Sequence, residues 1–275
     1  MTKKERIDVL LVEQGLVETR EKAKRSVMAG LVFCNNDRVD KPGAKVDRDA
    51  KLYIKGAVLP YVSRGGLKLE KAIECFGLEL NEKIVLDIGS STGGFTDCAL
   101  QNGAKLVYAV DVGYNQLAWK LRQDERVVVM ERTNFRYATK DLFTAGLPNF
   151  ATIDVSFISL KLILPTLKTV LQNGSHVSAL VKPQFEAGRD EVGKKGIVRD
   201  IRVHKQVLHE MTSFAASIGY TILRLSYSPI KGGEGNIEFL MHLYWEEEPQ
   251  KETIDLDTQI ETVVNEAHQQ LKENN

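Results

Sequence analysis

Residues 85–95 read Val85-Leu86-Asp87-Ile88-Gly89-Ser90-Ser91-Thr92-Gly93-Gly94-Phe95. An apolar run that ends in an acid and then a glycine-rich turn predicts a buried strand passing directly into a helix. Glycine lets the backbone turn sharply and approach a ligand closely. A turn at the carboxyl end of a strand is where open α/β sheets bind nucleotide-like molecules. The spacing here is G-x-x-x-G-G, not the G-x-G-x-x-G of dinucleotide binders. Gly93 and Gly94 also precede a helix N-terminus, a place able to hold a phosphate. Taken alone, the turn admits several ligands.

Downstream, strands are predicted at 106–111, 127–130, 150–154 and 176–181, and late strands at 220–226 and 237–244. Helices are predicted at 94–102, 114–123, 159–171 and 201–218, with Pro165 expected to kink the third. Such alternation predicts a mostly parallel sheet with helices on both faces, an α/β fold. Upstream, Ser63 is placed to cap a helix over 64–76 that Gly77 closes. The first 55 residues differ. Helical spacing at 6–14 and 19–29, with Thr19 as cap, is followed by short β-like pieces at 31–34, 38–39 and 51–54. These make a small α+β module. The expected division is 1–55 for this module, 56–62 for a linker, 63–245 for the α/β domain and 246–275 for an acidic tail, either an amphipathic helix or disordered.

Charge follows the same division. The net charge is zero, yet residues 1–71 hold sixteen Lys/Arg against ten Asp/Glu, and residues 246–275 hold two against nine. Arg6, Arg20, Lys22, Lys24 and Arg25 fall on the first two helices, with Lys41 and Lys45 in later turns. Such a front end is a candidate surface for a polyanion, with salt-sensitive binding. A long glycine-rich stretch, 186–200, adds Arg189, Lys194 and Lys195 and reads as a lid over a substrate.

Two strand-end acids narrow the ligand. Asp87 is placed to face an amino group, and Asp111 to accept hydrogen bonds from ribose hydroxyls. Together they favour S-adenosylmethionine. Around the turn, Lys68, Asp154, Lys182 and Glu238 fall where this architecture converges side chains. Two lysines and two carboxylates neutralise one another when buried.

The loop and the Lys68-Asp154-Lys182-Glu238 order resemble the FtsJ-like ribose 2′-O-methyltransferases. The basic front module resembles an S4 RNA-binding domain. The two joined through Ser63-Arg64-Gly65-Gly66 resemble the TlyA family, also called hemolysin A, over residues 1–245. The resemblance implies a Rossmann-like S-adenosylmethionine methyltransferase sheet behind an α+β S4 module. It implies a cytoplasmic enzyme acting on cytidine ribose in 16S and 23S ribosomal RNA or in the subunits. The four-residue set would be catalytic. Asp87, Gly89, Ser90, Ser91, Thr92, Gly93, Gly94, Phe95, Asp111, Val112, Asn134 and Asp154 would hold the cofactor. Arg6, Arg20, Lys22, Lys24, Arg25, Lys41, Arg64, Arg189, Lys194 and Lys195 would grip RNA. Of Phe95, Phe135, Phe157 and Phe185, one or two would pack on adenine or on a flipped base.

Other classes are weaker. The five histidines and three cysteines lack metal-ligand spacing, so no metal is expected. No apolar run reaches the ~20 residues that cross a bilayer, which disfavours a membrane-active cytolysin. The glycine spacing disfavours a nicotinamide oxidoreductase. An RNA-binding protein without chemistry would leave the four-residue set unused. Oligomeric state carries no signal in the sequence.

Overall fold

A computed structural model describes residues 4–28, 30–35, 37–55, 59–247 and 255–271. Within the expected segments, Ala29, Asn36, residues 56–58 of the linker, and 248–254 and 272–275 of the acidic end lie outside the described residues. Contacts divide the chain into Met1–Val62 and Ser63–Asn275.

The first unit holds β1 (Lys4–Arg6), α1 (Ile7–Glu13), α2 (Arg20–Met28), β2 (Val32–Cys34), β3 (Asp37–Arg38), β4 (Lys45–Asp47) and β5 (Leu52–Ile54). Thr19 starts α2 by accepting from the Lys22 nitrogen at 3.2 Å. The sheet order is β3-β2-β5, with a separate β1-β4 pair. Ile7, Leu10, Leu11, Ala23, Val27, Val32 and Leu52 form its buried core.

The second unit holds α3 (Gly65–Phe76), β6 (Ile84–Ile88), α4 (Gly94–Gln101), β7 (Leu106–Val110), α5 (Trp119–Arg122), β8 (Val127–Met130), β9 (Phe150–Ile153), α6 (Leu164–Val170), β10 (Ser175–Val181), α7 (Pro183–Glu186), α8 (Ile201–Ser217), β11 (Tyr220–Tyr227), β12 (Phe239–Trp245) and α9 (Leu256–Gln270). Its sheet has seven strands in the order β11-β12-β10-β9-β6-β7-β8. The run from β10 to β8 is parallel. β12 inserts antiparallel between β10 and β11. Strand order reverses between β6 and β9, which opens a crevice at their carboxyl ends.

Three local expectations change. Only Trp119–Arg122 of 114–123 is helical, because Gly113 turns back onto Asp111 and Asn115 takes a positive φ of 58°. Pro165 begins α6 rather than kinking a longer helix, since its missing N–H is harmless in the first turn. The N-cap of α3 is Arg64 rather than Ser63; the Ser63 hydroxyl lies against Gly94. In the acidic end the amphipathic-helix alternative holds over Leu256–Gln270. α9 buries Ile260, Val263, Val264 and Ala267, an i, i+3, i+4, i+7 stripe, against α8 and β11. Among the described residues, no helix is long and apolar enough to cross a membrane.

Candidate active site

The turn after β6 is built on close approach. Gly89 has φ +86°, and a Cβ there would stand 2.4 Å from the Asp154 carbonyl oxygen. A Cβ at Gly94 would meet the Ser63 hydroxyl at 2.3 Å and the Gly66 nitrogen at 2.7 Å. The first turns of α3 and α4 therefore touch, which explains the glycine at 94 and brings Lys68 beside the loop.

Asp87 departs from expectation. It is fully buried and accepts from the Thr96 hydroxyl at 2.6 Å and the Thr152 hydroxyl at 3.0 Å. Thr152 is its register partner on β9. Burial pushes its carboxyl up to about 6, against those two hydrogen bonds. The residue is fully buried and lines neither cavity described below; its two hydroxyl contacts tie the end of β6 to α4 and β9.

Asp111 is half-buried. Its Oδ2 accepts from the Ser91 nitrogen at 2.8 Å and its Oδ1 from the Gly113 nitrogen at 2.7 Å. A carboxylate has about four acceptor sites, so two backbone bonds fix it while leaving capacity for two hydroxyls. It lines a cavity of about 380 Å³ with Gly89, Ser91, Val112, Asn134, Phe135 and Asp154. Thr92, Gly94 and Phe95 line a neighbouring cavity of about 360 Å³ with Arg64, Lys68, Asp154, Lys182 and Glu238. Gly89, Ser91, Asp154 and Ser156 belong to both walls. Gly93 lines neither; at φ +97° it packs on Leu117 and Leu121.

The four-residue set is contiguous. Glu238 Oε2 lies 2.7 Å from Lys68 Nζ, which lies 3.4 Å from Asp154 Oδ2. Asp154 Oδ1 lies 2.6 Å from Lys182 Nζ, which donates to the Ser156 hydroxyl at 3.0 Å. Lys68, Lys182 and Glu238 are all more than nine-tenths buried. Burial pulls the Lys68 ammonium down, but Asp154 and Glu238 outweigh it and leave its pKa raised.

Residues missed in the sequence sit at the turn before β12. A Cβ at Gly232 would stand 2.0 Å from Glu238 Oε1. Buried Asn236 accepts from the Val198 nitrogen at 3.0 Å and donates to the carbonyls of Gly196 at 2.9 Å and Gly233 at 3.0 Å. It thereby pins the tight turn 193–196, closed by the Gly196 nitrogen on the Gly193 carbonyl at 2.8 Å. Exposed Lys194 and Lys195 form the tip of this anchored turn. Phe157 follows the carboxyl end of β9. It is 91% exposed with φ +63°.

In the first unit, Lys22 and Lys24 pair with Glu18 at 2.6 Å and Glu21 at 2.8 Å. Arg25 is half-buried, whereas Lys41 is exposed, as are Arg64 and Arg189 in the second unit. Among the described residues no group of three His, Cys, Asp or Glu could hold a metal. Four histidines instead form two pairs, His176–His242 at 2.9 Å and His204–His268 at 2.8 Å.

Comparison with known proteins follows this division. Residues 61–245 match the FtsJ-like methyltransferase family and residues 5–52 the S4 domain. YqxC of Bacillus subtilis (strain 168), provisionally named an rRNA methyltransferase, is 68% identical over 99% of this chain and 97% of its own. The 16S/23S rRNA (cytidine-2′-O)-methyltransferase TlyA of Mycobacterium tuberculosis is 38% identical over 88% of this chain and 91% of its own. A solved structure from Streptococcus thermophilus, provisionally named a hemolysin, superposes with a TM-score of 0.79 and 59% identity, covering 100% of this chain and 99% of that one.

Proposed function

Because the chain belongs to the FtsJ-like methyltransferase family, we propose that it transfers a methyl group from S-adenosylmethionine to a cytidine ribose 2′-hydroxyl in 16S and 23S ribosomal RNA. The observation that carries this reading is the unbroken Glu238–Lys68–Asp154–Lys182 chain. It lies in a cavity that shares a wall with the one around Asp111. When bound, S-adenosylmethionine supplies a methyl group already activated on a sulfonium. The protein's task is then alignment of the acceptor and management of its proton.

The residues present suit that cofactor. Asp111 offers acceptor capacity to two adjacent hydroxyls, and Val112, Phe135 and Ile163 offer apolar wall to a flat ring. Gly89 leaves room at the β6 end. On the acceptor side, Lys182 stabilises negative charge on the 2′-oxygen as its proton leaves. Asp154 orients Lys182, while Lys68 and Glu238 balance the remaining charge. The S4 module with Arg6, Arg20 and Lys41, and Arg64, Arg189, Lys194 and Lys195 of the second unit, bind RNA phosphates. The reading implies a cytoplasmic protein whose partner is ribosomal RNA or a ribosomal subunit.

The test is transfer of tritiated methyl from S-adenosylmethionine to unmodified 30S and 50S subunits and their free RNA, followed by mapping of 2′-O-methyl sites. Labelled cytidine ribose is the expected result. Cofactor binding with no label in any of the substrates would overturn the reading.

A further inference from the structure

Asp8 of the first unit is 0% exposed. Its Oδ1 accepts from Arg6 Nε at 2.9 Å, and its Oδ2 from Arg6 Nη2 at 3.1 Å and Arg20 Nη2 at 2.9 Å. The two arginines end β1 and begin α2, and a single carboxylate draws their guanidiniums together. Without it, two cations at such a separation would repel. The pairing does not hide them. The Arg6 and Arg20 side chains stay 44% and 55% exposed. Each guanidinium carries five N–H donors, and Asp8 engages only two from Arg6 and one from Arg20.

More positive charge gathers at the same place. The turn after Lys41 lies against Arg6, with the Ile7 nitrogen on the Ala44 carbonyl at 2.9 Å. Lys45 stands opposite Arg6 in the β1–β4 register. Lys22 and Lys24, by contrast, have their own glutamates. The Arg6 hydrogen bonds hold the Asp8 carboxyl down to about 2 despite burial, with Arg20 adding to the effect.

We propose that Asp8 is a positioning residue that presents Arg6 and Arg20 as a paired guanidinium clamp for backbone phosphates of RNA. This rests on the reading of the first unit as an RNA-binding module. A fixed pair of planar forks meets phosphate bidentately, which two independent flexible cations do less well. The proposal makes an uncommon prediction. Removing a carboxylate from a basic patch adds one positive charge and should tighten RNA binding if only charge matters. If Asp8 positions the pair, the same change weakens binding.

The experiment measures binding of unmodified 23S rRNA transcript by the full chain over a range of KCl concentrations. S-adenosylmethionine affinity and Tm are recorded alongside. The variants are Asp8→Asn, Arg6→Gln, Arg20→Gln, Arg20→Lys and the double Asp8→Asn/Arg20→Gln. Asp8→Asn is expected to weaken RNA binding about tenfold, with cofactor affinity unchanged and little further loss in the double variant. Arg20→Lys, which keeps the charge and an ion pair, is expected to weaken it nearly as much as Arg20→Gln. Equal or tighter binding by Asp8→Asn, while both Gln variants bind weakly, overturns the role of Asp8 and leaves the RNA face standing. If Asp8→Asn does not fold, wild-type affinity in Arg20→Lys overturns it instead. Unchanged affinity and salt slope in both Gln variants overturns the RNA reading of this face and the clamp with it.

Discussion

Asp154 and Lys182 follow adjacent parallel strands, and Lys182 Nζ stands 2.6 Å from Asp154 Oδ1. The other oxygen of Asp154 faces Lys68 at 3.4 Å. One carboxylate is thus shared by two ammoniums, and Glu238 supplies the second negative charge from the β12 side. The arrangement keeps two buried lysines compensated, Lys68 by Glu238 and a share of Asp154, Lys182 by Asp154. Removing a single member consequently disturbs the whole set.

Replacing Lys182 by Ala removes the group proposed to act on the acceptor while leaving Lys68 paired with both carboxylates. Methyl transfer is expected to fall about 10²–10⁴-fold, the range of a lost acid–base or charge-stabilising group. S-adenosylmethionine affinity should stay within about twofold, as read by calorimetry. Asp154→Asn is expected to behave differently. It leaves two buried ammoniums facing one carboxylate, so stability should drop by about 3–5 kcal/mol together with activity.

Gly89→Ala is expected to abolish cofactor binding and lower Tm. The new Cβ would meet a backbone oxygen at 2.4 Å, which cannot swing aside. Gly77→Ala is the control, because its φ is also positive, +66°, but nothing lies within 4 Å. It should cost only the backbone strain, about 1–2 kcal/mol, and leave cofactor affinity intact. Equal loss of binding in both variants would remove the argument for close approach at residue 89.

The elements most legible in the sequence were those fixed by local pattern. The β6 strand and the α3 helix closed by Gly77 lie within a residue of expectation, as does the position of Lys68 on that helix. What the sequence concealed depends on distant partners. Asp87 looks like a ligand-facing strand-end acid until Thr152 is seen opposite it on β9. Ser63 looks like a cap until Gly94 is found against it. Gly232 and Asn236 carry no periodic signal, because their roles are made by Glu238 in one case and by Gly196 and Val198 in the other.

Asn236→Ala should free the 193–196 turn without touching the cofactor cavity. The expected result is a several-fold rise in KM for RNA, close to that of Lys194→Gln/Lys195→Gln, with S-adenosylmethionine affinity unchanged. Combining the variants should add little, since both act on the same two lysines. Full additivity in steady-state kinetics would separate Asn236 from the turn.

Stability should depend on pH through two opposed sets of groups. Asp87 has a raised folded pKa, about 6. Its favourable contribution is complete below the unfolded value near 4 and lost as pH rises through 6. His204 and His242 are held down to about 4, by burial first and then by their partner imidazoles. Their contribution is present above about 6.5 and lost as pH falls towards 4. Two histidines outweigh one aspartate, so Tm should fall between pH 7 and 4.5. The fall should be steeper in Asp87→Asn, which lacks the offsetting group, and shallower in His204→Gln. A shallower fall in Asp87→Asn would contradict the burial assigned to Asp87.

Phe157 combines two unfavourable features, a 91% exposed ring and a backbone φ of +63°. Exposure of such a ring forgoes about 1.5–3 kcal/mol, and the left-handed conformation costs a further 1–2 kcal/mol, roughly. Its ring lies 5.1 Å from that of Phe185, and Lys182 Nζ stands 6.0 Å from the centre of Phe185. A strained, exposed aromatic near the Lys182–Asp154 pair is suited to stacking a base drawn out of the RNA. Phe157→Ala should therefore raise KM for RNA by about tenfold or more, from a stacking contribution of ~1–3 kcal/mol per base. Cofactor affinity should not change, and Tm should hold or rise because no buried contact is lost. Phe157→Trp should retain most of the wild-type KM. Steady-state kinetics on both variants separates this from a purely structural role, in which Phe157→Ala would lower Tm and leave KM alone.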